Sequence, residues 1–325
     1  MKGNIMHGKL KIFSGRAGLP LAQNICRQLS VKLGQADIKP FADGEIRPRL
    51  LEDVRETDVF IVNPTHMPES NFFDLCLLGR TAHDSSANRV TLVIPYLGYN
   101  RQDRRDRPRV TISSAFVADM LINSFADRLL LLDVHNEATL GSFEKKGLRV
   151  DHLYSSSVSV QYLKKIMSKN FVVASPDVGG GARARAYAHR LNQNGHVVFD
   201  KSRTEPNQIK EKSIRIIGNV RDKDVVFVDD LIDTGGSLIA DAKAAKKKGA
   251  KKIFAFATHG LFSGQAIARL DDSAITEVIV TDSIYHSSEE LKSRRVKITV
   301  LSVASLLADA IRRIHEGESI SELFI

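Results

Sequence analysis

Short runs of β-branched and leucine residues recur along this chain, separated by longer stretches in which apolar positions return at helical spacing. A first set lies at 10–13, 59–62, 90–94 and 129–133; a second lies at 171–174, 197–199, 225–228, 253–257, 278–280 and 298–301. The runs are continuously apolar, not alternating, which predicts strands covered on both faces. The stretches between them predict βα units and parallel pairing. Between the sets, 141–157 carries EKKGLR and then YSSSVS, and the domain change is expected there, near His152. The reading is therefore two α/β domains, 1–152 and 153–325, each a mainly parallel sheet flanked by helices. The last ~20 residues are a candidate for packing back on the first domain. No short repeat or low-complexity stretch interrupts the pattern.

Length and composition narrow this without changing it. The 325 residues suit two domains, and 43% hydrophobic with 26% charged residues excludes a disordered or fibrous chain. Runs such as RLLLLDV are too short to cross a bilayer, and the N-terminus lacks a signal-peptide core. A cytoplasmic protein with no membrane partner is expected. The net charge of +9 suits nucleic acid, an anionic surface or phosphorylated small molecules. The lysines between Lys243 and Lys252 resemble a nucleic-acid patch, but they close a helical stretch ending at Gly249, where cations complement the helix dipole. That structural reading is preferred. Cys26 and Cys76 sit among apolar residues and read as buried free thiols.

Two segments carry the clearest chemistry. In VVFVDDLIDTGGSL an apolar strand runs into Asp229, Asp230 and Asp233, then a Thr-Gly-Gly-Ser turn opens a helix. Backbone N–H groups of Thr234, Gly235, Gly236 and Ser237 can converge on a phosphate there. Carboxylates would repel that phosphate, so Asp229 and Asp230 must serve something beside it: the vicinal hydroxyls of a sugar, or a hydrated Mg²⁺. A plain N-cap needs one acid, and this loop has three. The segment SPDVGGGARARA repeats the grammar, with Asp177 placed to face a metal beside an anion cradle at Gly179 and Gly180.

Other segments are ambiguous by residues alone. Asp133 and His135 lie two apart at a strand end, so extended backbone would send both side chains to one face. Lys201 and Arg203 in DKSR read first as an exposed basic turn. FADGEI, with Phe41, Asp43 and Glu45, alternates like a strand or turn edge. The five arginines of GYNRQDRRDRPR could clamp RNA or decorate a loop salted by Asp103 and Asp106.

Together with DVH and ATHGLFSG, these segments resemble those of ribose-phosphate pyrophosphokinase, also called phosphoribosyl pyrophosphate synthetase, over nearly the whole chain. The resemblance implies two phosphoribosyltransferase-like domains, with ATP and ribose 5-phosphate as substrates and Mg²⁺ as cofactor. It implies transfer of the diphosphoryl group to the sugar's O1, releasing AMP, by a homo-oligomer of hexameric type. Residue by residue, it assigns Asp229, Asp230, Asp233, Thr234, Gly235, Gly236 and Ser237 to ribose 5-phosphate. Phe41, Asp43, Glu45, Arg101, Gln102 and His135 go to ATP, the adenine segment reaching a neighbouring subunit's site. Lys201 and Arg203 are implied as catalytic cations, and Asp133, His135 and Asp177 as metal residues. Arg55, Ser86, Arg109, Ser319 and Ser321 resemble a regulatory site for phosphate or ADP.

Three departures from the family pattern stand out. Asp53 replaces a small hydroxyl residue beside the regulatory site. Only Glu144 and Asp151 remain where a second metal site would lie. Gly181-Ala182 replaces larger apolar residues, which is expected to loosen that loop. A phosphoribosyltransferase would share the DDLIDTGGS-type loop without needing an ATP site. A noncatalytic subunit or sensor would not need to keep His135, Lys201, Arg203 and the loop acids.

Overall fold

A computed structural model describes residues 7–144, 147–201 and 214–324, and divides the chain into two compact units. The first comprises Met1–Ser155, Ser283–Tyr285 and Val303–Ile325; the second comprises Ser156–Asp282 and His286–Ser302.

In the first unit the elements run β1 (Leu10–Ser14), α1 (Leu19–Leu29), β2 (Ala36–Asp37), β3 (Arg49–Leu50), β4 (Asp58–Val62), α2 (Ser70–Asp84), β5 (Arg89–Ile94), α3 (Ser113–Ile122), β6 (Arg128–Leu132), α4 (Leu140–Glu144) and β7 (Arg149–Leu153). All neighbours in the five-stranded sheet β1-β4-β5-β6-β7 pair in parallel. The strands thus follow chain order across the sheet. Alternate residues Val59, Ile61, Val90, Leu92, Ile94, Leu129 and Leu131 pack with Phe72, Leu75, Leu78, Val117 and Leu121 of α2 and α3.

The last long helix, α9 (Ala304–Glu316), belongs to this unit and packs on α1. Its C-terminus is tied to the sheet. His315 Nδ1 lies 2.8 Å from Asp58 Oδ2, and Arg89 donates to Asp58 and, at 2.9 Å, to the Ile314 carbonyl. Gly317, at φ +72°, closes the helix in a conformation other residues adopt at a cost.

The second unit runs α5 (Ser156–Ile166), β8 (Phe171–Ser175), α6 (Gly181–Arg190), β9 (His196–Lys201), β10 (Ile214–Ile217), β11 (Asp224–Ile232), α7 (Gly236–Lys247), β12 (Ile253–Gly260), α8 (Ala266–Asp271), β13 (Glu277–Thr281) and β14 (Lys297–Leu301). Its sheet has the order β10-β9-β8-β11-β12-β13-β14, parallel except for the edge pair β9 and β10. Residue parity sorts the two cores. Val225, Phe227, Ala255 and Val278 pack with α7 and α8, while Val226, Val228, Phe256 and Ile279 pack with α5 and α6. Continuous apolar runs are what a sheet with two covered faces requires.

The structure adds strands the hydrophobic pattern did not predict. β7 lies inside the stretch read as a domain change, because its sequence RVDHL alternates charge with apolar residues and Arg149 is exposed. Asp151 of β7 is ion-paired with Arg128 of β6. β10 is a half-exposed edge strand, and β2 and β3 form a two-residue antiparallel pair. β11 continues past Val228 through Ile232, because its pairing with β12 extends to Ile232 and Gly260. Asp229 and Asp230 are therefore strand residues, not loop residues.

Cys26 is buried and Cys76 half-buried, and both are free; burial pushes their thiols up to about 11 and about 12. Lys246 and Lys247 occupy the last turn of α7, with Gly249 at φ +90° just beyond. Among the described residues, no helix is long and apolar enough to cross a membrane.

Candidate active site

In the second unit, strand order reverses between β8 and β11: β9 continues outward from β8 on one side, β12 from β11 on the other. Crevices beyond the carboxyl ends of strands at such a reversal are where open α/β sheets bind ligands. The two glycine-bearing segments singled out in the sequence leave these two strands.

Beyond β8, Ser175 Oγ donates to the Asp177 carbonyl at 2.6 Å, and Asp177 Oδ1 accepts from Gly180 N–H at 2.8 Å. A Cβ on Gly180 would stand 2.7 Å from Ser175 Oγ, so the turn requires glycine. Gly181 is the first residue of α6, and its N–H bonds to the Val178 carbonyl at 3.3 Å. The substitution that was expected to loosen this loop is thus absorbed into a helix start.

Beyond β11, Gly235 takes φ +74° and caps α7 without a side-chain cap. Ile239 N–H is the first to bond back, to the Gly235 carbonyl at 2.9 Å. The N–H groups of Gly236, Ser237 and Leu238 therefore have no intrahelical acceptor and suit an anion. Thr234 and Ser237 are exposed, and Asp233 is half-buried.

Asp230 is 4% exposed. Arg183, from the first turn of α6, reaches its Oδ1 at 3.0 Å and Asp229 Oδ1 at 3.5 Å, while Asp230 N–H donates to Asp229 Oδ1 at 2.9 Å. Withdrawal from water, then the neighbouring Asp230 carboxylate, raises Asp229 well above the ordinary carboxylate range; Arg183 opposes this. Arg183 belongs to the segment SPDVGGGARARA, whose residues by themselves give it no partner. Only the fold brings α6 over β11.

Lys201 is the last residue of β9, not a loop residue, and Arg203 lies outside the described residues. The Lys201 ammonium donates to Ser237 Oγ at 2.5 Å and lies 2.6 Å from Asp241 Oδ2. Its side chain is 3% exposed and that of Asp241 is fully buried. The exposed basic turn expected for Lys201 is therefore corrected: the strand's extension carries it inward. Asp241 went unnoticed in the sequence. The available signal was its spacing, four residues after Ser237 and hence on the same helical face.

In the first unit, Arg101 and Gln102 follow β5, and Asp133 and His135 follow β6, both beyond carboxyl ends of strands. Arg101 is exposed; Gln102 Oε1 accepts from Ser113 Oγ at 2.6 Å. Asp133 and His135 do not share a face. Asp133 has φ +41°, outside extended geometry, which leaves it buried with Oδ2 accepting from Ser155 N–H at 2.9 Å and His135 exposed.

Phe41, Asp43 and Glu45 form a tight turn: Phe41 N–H donates to the Glu45 carbonyl at 2.7 Å and Glu45 N–H to Asp43 Oδ1 at 3.0 Å. Phe41 is 49% exposed, with the Arg47 guanidinium 5.1 Å from its ring centre.

The residues resembling a regulatory site make these local contacts. Glu56 N–H donates to the Ser86 carbonyl at 3.0 Å, which brings Arg55 near Ser86. Ser319 Oγ donates to Ser321 Oγ at 3.1 Å beyond α9. Arg109 is exposed at φ +65°. Asp53 Oδ1 accepts from the Arg55 backbone N–H at 3.0 Å, and among the described residues no ion pair joins it to the Arg55 guanidinium. Of the two second-metal candidates, Asp151 is engaged by Arg128 and Glu144 ends α4.

Among the described residues, no three His, Cys, Asp or Glu side chains gather as a metal cage. Mg²⁺ is commonly held by one or two carboxylates with substrate phosphates and water, so Asp177, exposed and with one oxygen engaged by Gly180, fits such an ion.

Profiles of known families match both parts of the chain: the N-terminal domain of ribose phosphate pyrophosphokinase over residues 10–124, and the phosphoribosyl synthetase-associated domain over residues 199–325. A ribose-phosphate pyrophosphokinase of Haemophilus influenzae is 45% identical over 97% of this chain and 99% of its own length. One of Campylobacter jejuni is 41% identical over 97% and 99%. The crystal structure of phosphoribosylpyrophosphate synthetase from Mycobacterium smegmatis superposes with a TM-score of 0.86 at 32% identity, covering 95% of this chain and 99% of that one.

Proposed function

The chain belongs to the ribose-phosphate pyrophosphokinase family, and from that premise we propose that it transfers the diphosphoryl group of ATP to O1 of ribose 5-phosphate, giving phosphoribosyl pyrophosphate and AMP. One observation supports this reading above the rest. At the strand-order reversal of the second unit, a helix N-terminus that suits phosphate, at the start of α7, stands beside an acidic pair that suits sugar hydroxyls.

In this reading the N–H groups at the start of α7, with Ser237 Oγ, hold the 5-phosphate. Asp229 and Asp230 accept hydrogen bonds from the ribose hydroxyls, with Arg183 balancing their charge. Their acceptor strength depends on ionisation, and Asp229 is raised, so sugar binding strengthens as pH rises through its titration. Phe41, Asp43 and Glu45 read adenine, Arg101 and Gln102 hold the nucleotide, and Lys201 and Arg203 act on the phosphoryl oxygens. Little covalent work falls to the protein; positioning and charge stabilisation carry phosphoryl transfer.

The family uses a divalent metal, and here it is Mg²⁺, which Asp177 of the second unit would hold together with substrate phosphates, where it would neutralise phosphoryl charge; His135, in the first unit, is a candidate ligand in its own unit. Asp133 acts through its hydrogen bond to Ser155, setting the turn that carries His135. The protein works in the cytoplasm as a homo-oligomer of hexameric type, with phosphate or ADP as regulators at Arg55, Ser86, Arg109, Ser319 and Ser321.

The test is direct. Protein, ATP, Mg²⁺ and ribose 5-phosphate should yield AMP and phosphoribosyl pyrophosphate in equal amounts. ADP as the nucleotide product would mean a simple sugar kinase; no reaction with these substrates, but formation of a nucleotide and pyrophosphate from added phosphoribosyl pyrophosphate and a free base, would mean a phosphoribosyltransferase.

A further inference from the structure

Asp241 lies on α7, on the same helical face as Ser237. It is fully buried, and among the described residues neither of its oxygens accepts a hydrogen bond of ordinary geometry. What balances its charge is the Lys201 ammonium, 2.6 Å away at the end of β9 and itself almost wholly enclosed. Ser237 takes a hydrogen bond from the same ammonium. A cation enclosed to this degree has no open face for the phosphates of a nucleotide.

We propose that Asp241 is a positioning residue, a buried counter-ion that holds Lys201 down against Ser237, so that turnover includes release of the ammonium from this pair. The inference rests on the reading of Lys201 as a cation acting on phosphoryl oxygens.

Release has a definite electrostatic cost. It would strand a carboxylate away from water with no other cation beside it among the described residues, and an uncompensated buried charge is strongly disfavoured. A proton can take the place of Lys201. Burial raises Asp241 to about 7 even with Lys201 beside it, and Asp177, the other charged group acting on it, pushes in the same direction as burial. Asp177 acts on it through space from the β8–α6 connection, and Lys201 touches it from β9. Protonation of Asp241 and release of Lys201 are therefore coupled, and release is easier at the acidic side of neutrality. A structural ion pair, kept through the reaction, would give none of this.

The experiment compares native protein with Asp241→Asn and Lys201→Ala. It follows kcat and KM at about pH 6 and about pH 8.5, and the acylation of Lys201 by an amine-reactive ester, read by peptide mass spectrometry. Asp241→Asn should expose Lys201 to acylation and raise kcat at the higher pH by about threefold or more, with less change at the lower pH and little change in either KM. The pH profile should flatten. A fall in kcat towards that of Lys201→Ala would overturn the proposal, since Asp241 would then hold Lys201 in its working place. Unchanged acylation of Lys201 would overturn it as well. If Lys201→Ala were fully active, the reading of Lys201 itself would fall, a different failure from the first two. Should Asp241→Asn misfold, Asp241→Ser, smaller and uncharged, reports the same quantities.

Discussion

The two units bury their acids in opposite ways. In the first, Asp58 is fully enclosed, and burial pushes its carboxyl up, but hydrogen bonds from His315 and Arg89 outweigh that and leave it below the ordinary range. In the second, Asp229 faces another carboxylate and Asp241 has a single ammonium, and both are raised. Asp58 is completed by the fold alone. Asp229 instead keeps a like-charged neighbour that Arg183 only partly offsets, and perturbed titration of that kind collects at binding sites. Topology runs parallel to this: the first sheet keeps chain order, whereas the second reverses at the strands that carry the acids.

The contrast is broken most forcefully at Arg89. Arg89→Ala removes one partner of a buried pair and should cost about 3–5 kcal/mol, seen as a large drop in the thermal midpoint of the first unit. The sign with pH follows from the lowered carboxyl. Asp58 contributes stability above its unfolded pKa, and that contribution fades as pH falls through its folded value. Native protein should therefore lose stability on acidification more steeply than Arg89→Ala. Parallel losses would mean that the Asp58 cluster contributes nothing specific.

The next effect sharpens the second unit. Asp230→Asn should weaken ribose 5-phosphate by about tenfold, one hydrogen bond to a charged acceptor, while leaving ATP within about twofold. Direct titration of each substrate decides it, and a larger loss for ATP would mean the sites are reversed. The converse substitution is Phe41→Ala in the first unit. Loss of an exposed stacking face should raise the KM for ATP by about fivefold, a contribution near 1 kcal/mol, with ribose 5-phosphate unaffected.

The smallest expected effect is at Asp53. A carboxylate within about 4 Å of a phosphate costs roughly 1 kcal/mol in water, and Asp53 binds the backbone of Arg55 without pairing its guanidinium. Asp53→Ser should lower the phosphate needed for half-maximal activation by a few-fold at most. No change in a phosphate titration would clear Asp53 of that role.

What could be read along the chain was local. The glycine turn at Gly235, the helix start after Gly180 and the acids at the end of β11 are contiguous strings whose backbone demands are set by their own residues. β7 was not legible, because an edge strand with Arg149 and Asp151 lacks the continuous apolar run of a central one. The shared face expected for Asp133 and His135 failed through one dihedral, the positive φ of Asp133, which no pattern of residue types announces.

By itself the sequence determined the α/β class, most strands, the two glycine-bearing turns and the resemblance to a known family, because apolar period and turn chemistry are short-range properties. Only the tertiary structure decided the strand order that reverses at β8 and β11, the placing of Arg183 over the two acids, and the burial of Lys201 against Asp241. Those contacts join residues far apart in the chain. Their energies depend on which charges the fold withdraws from water together, and no local stretch of sequence contains that information.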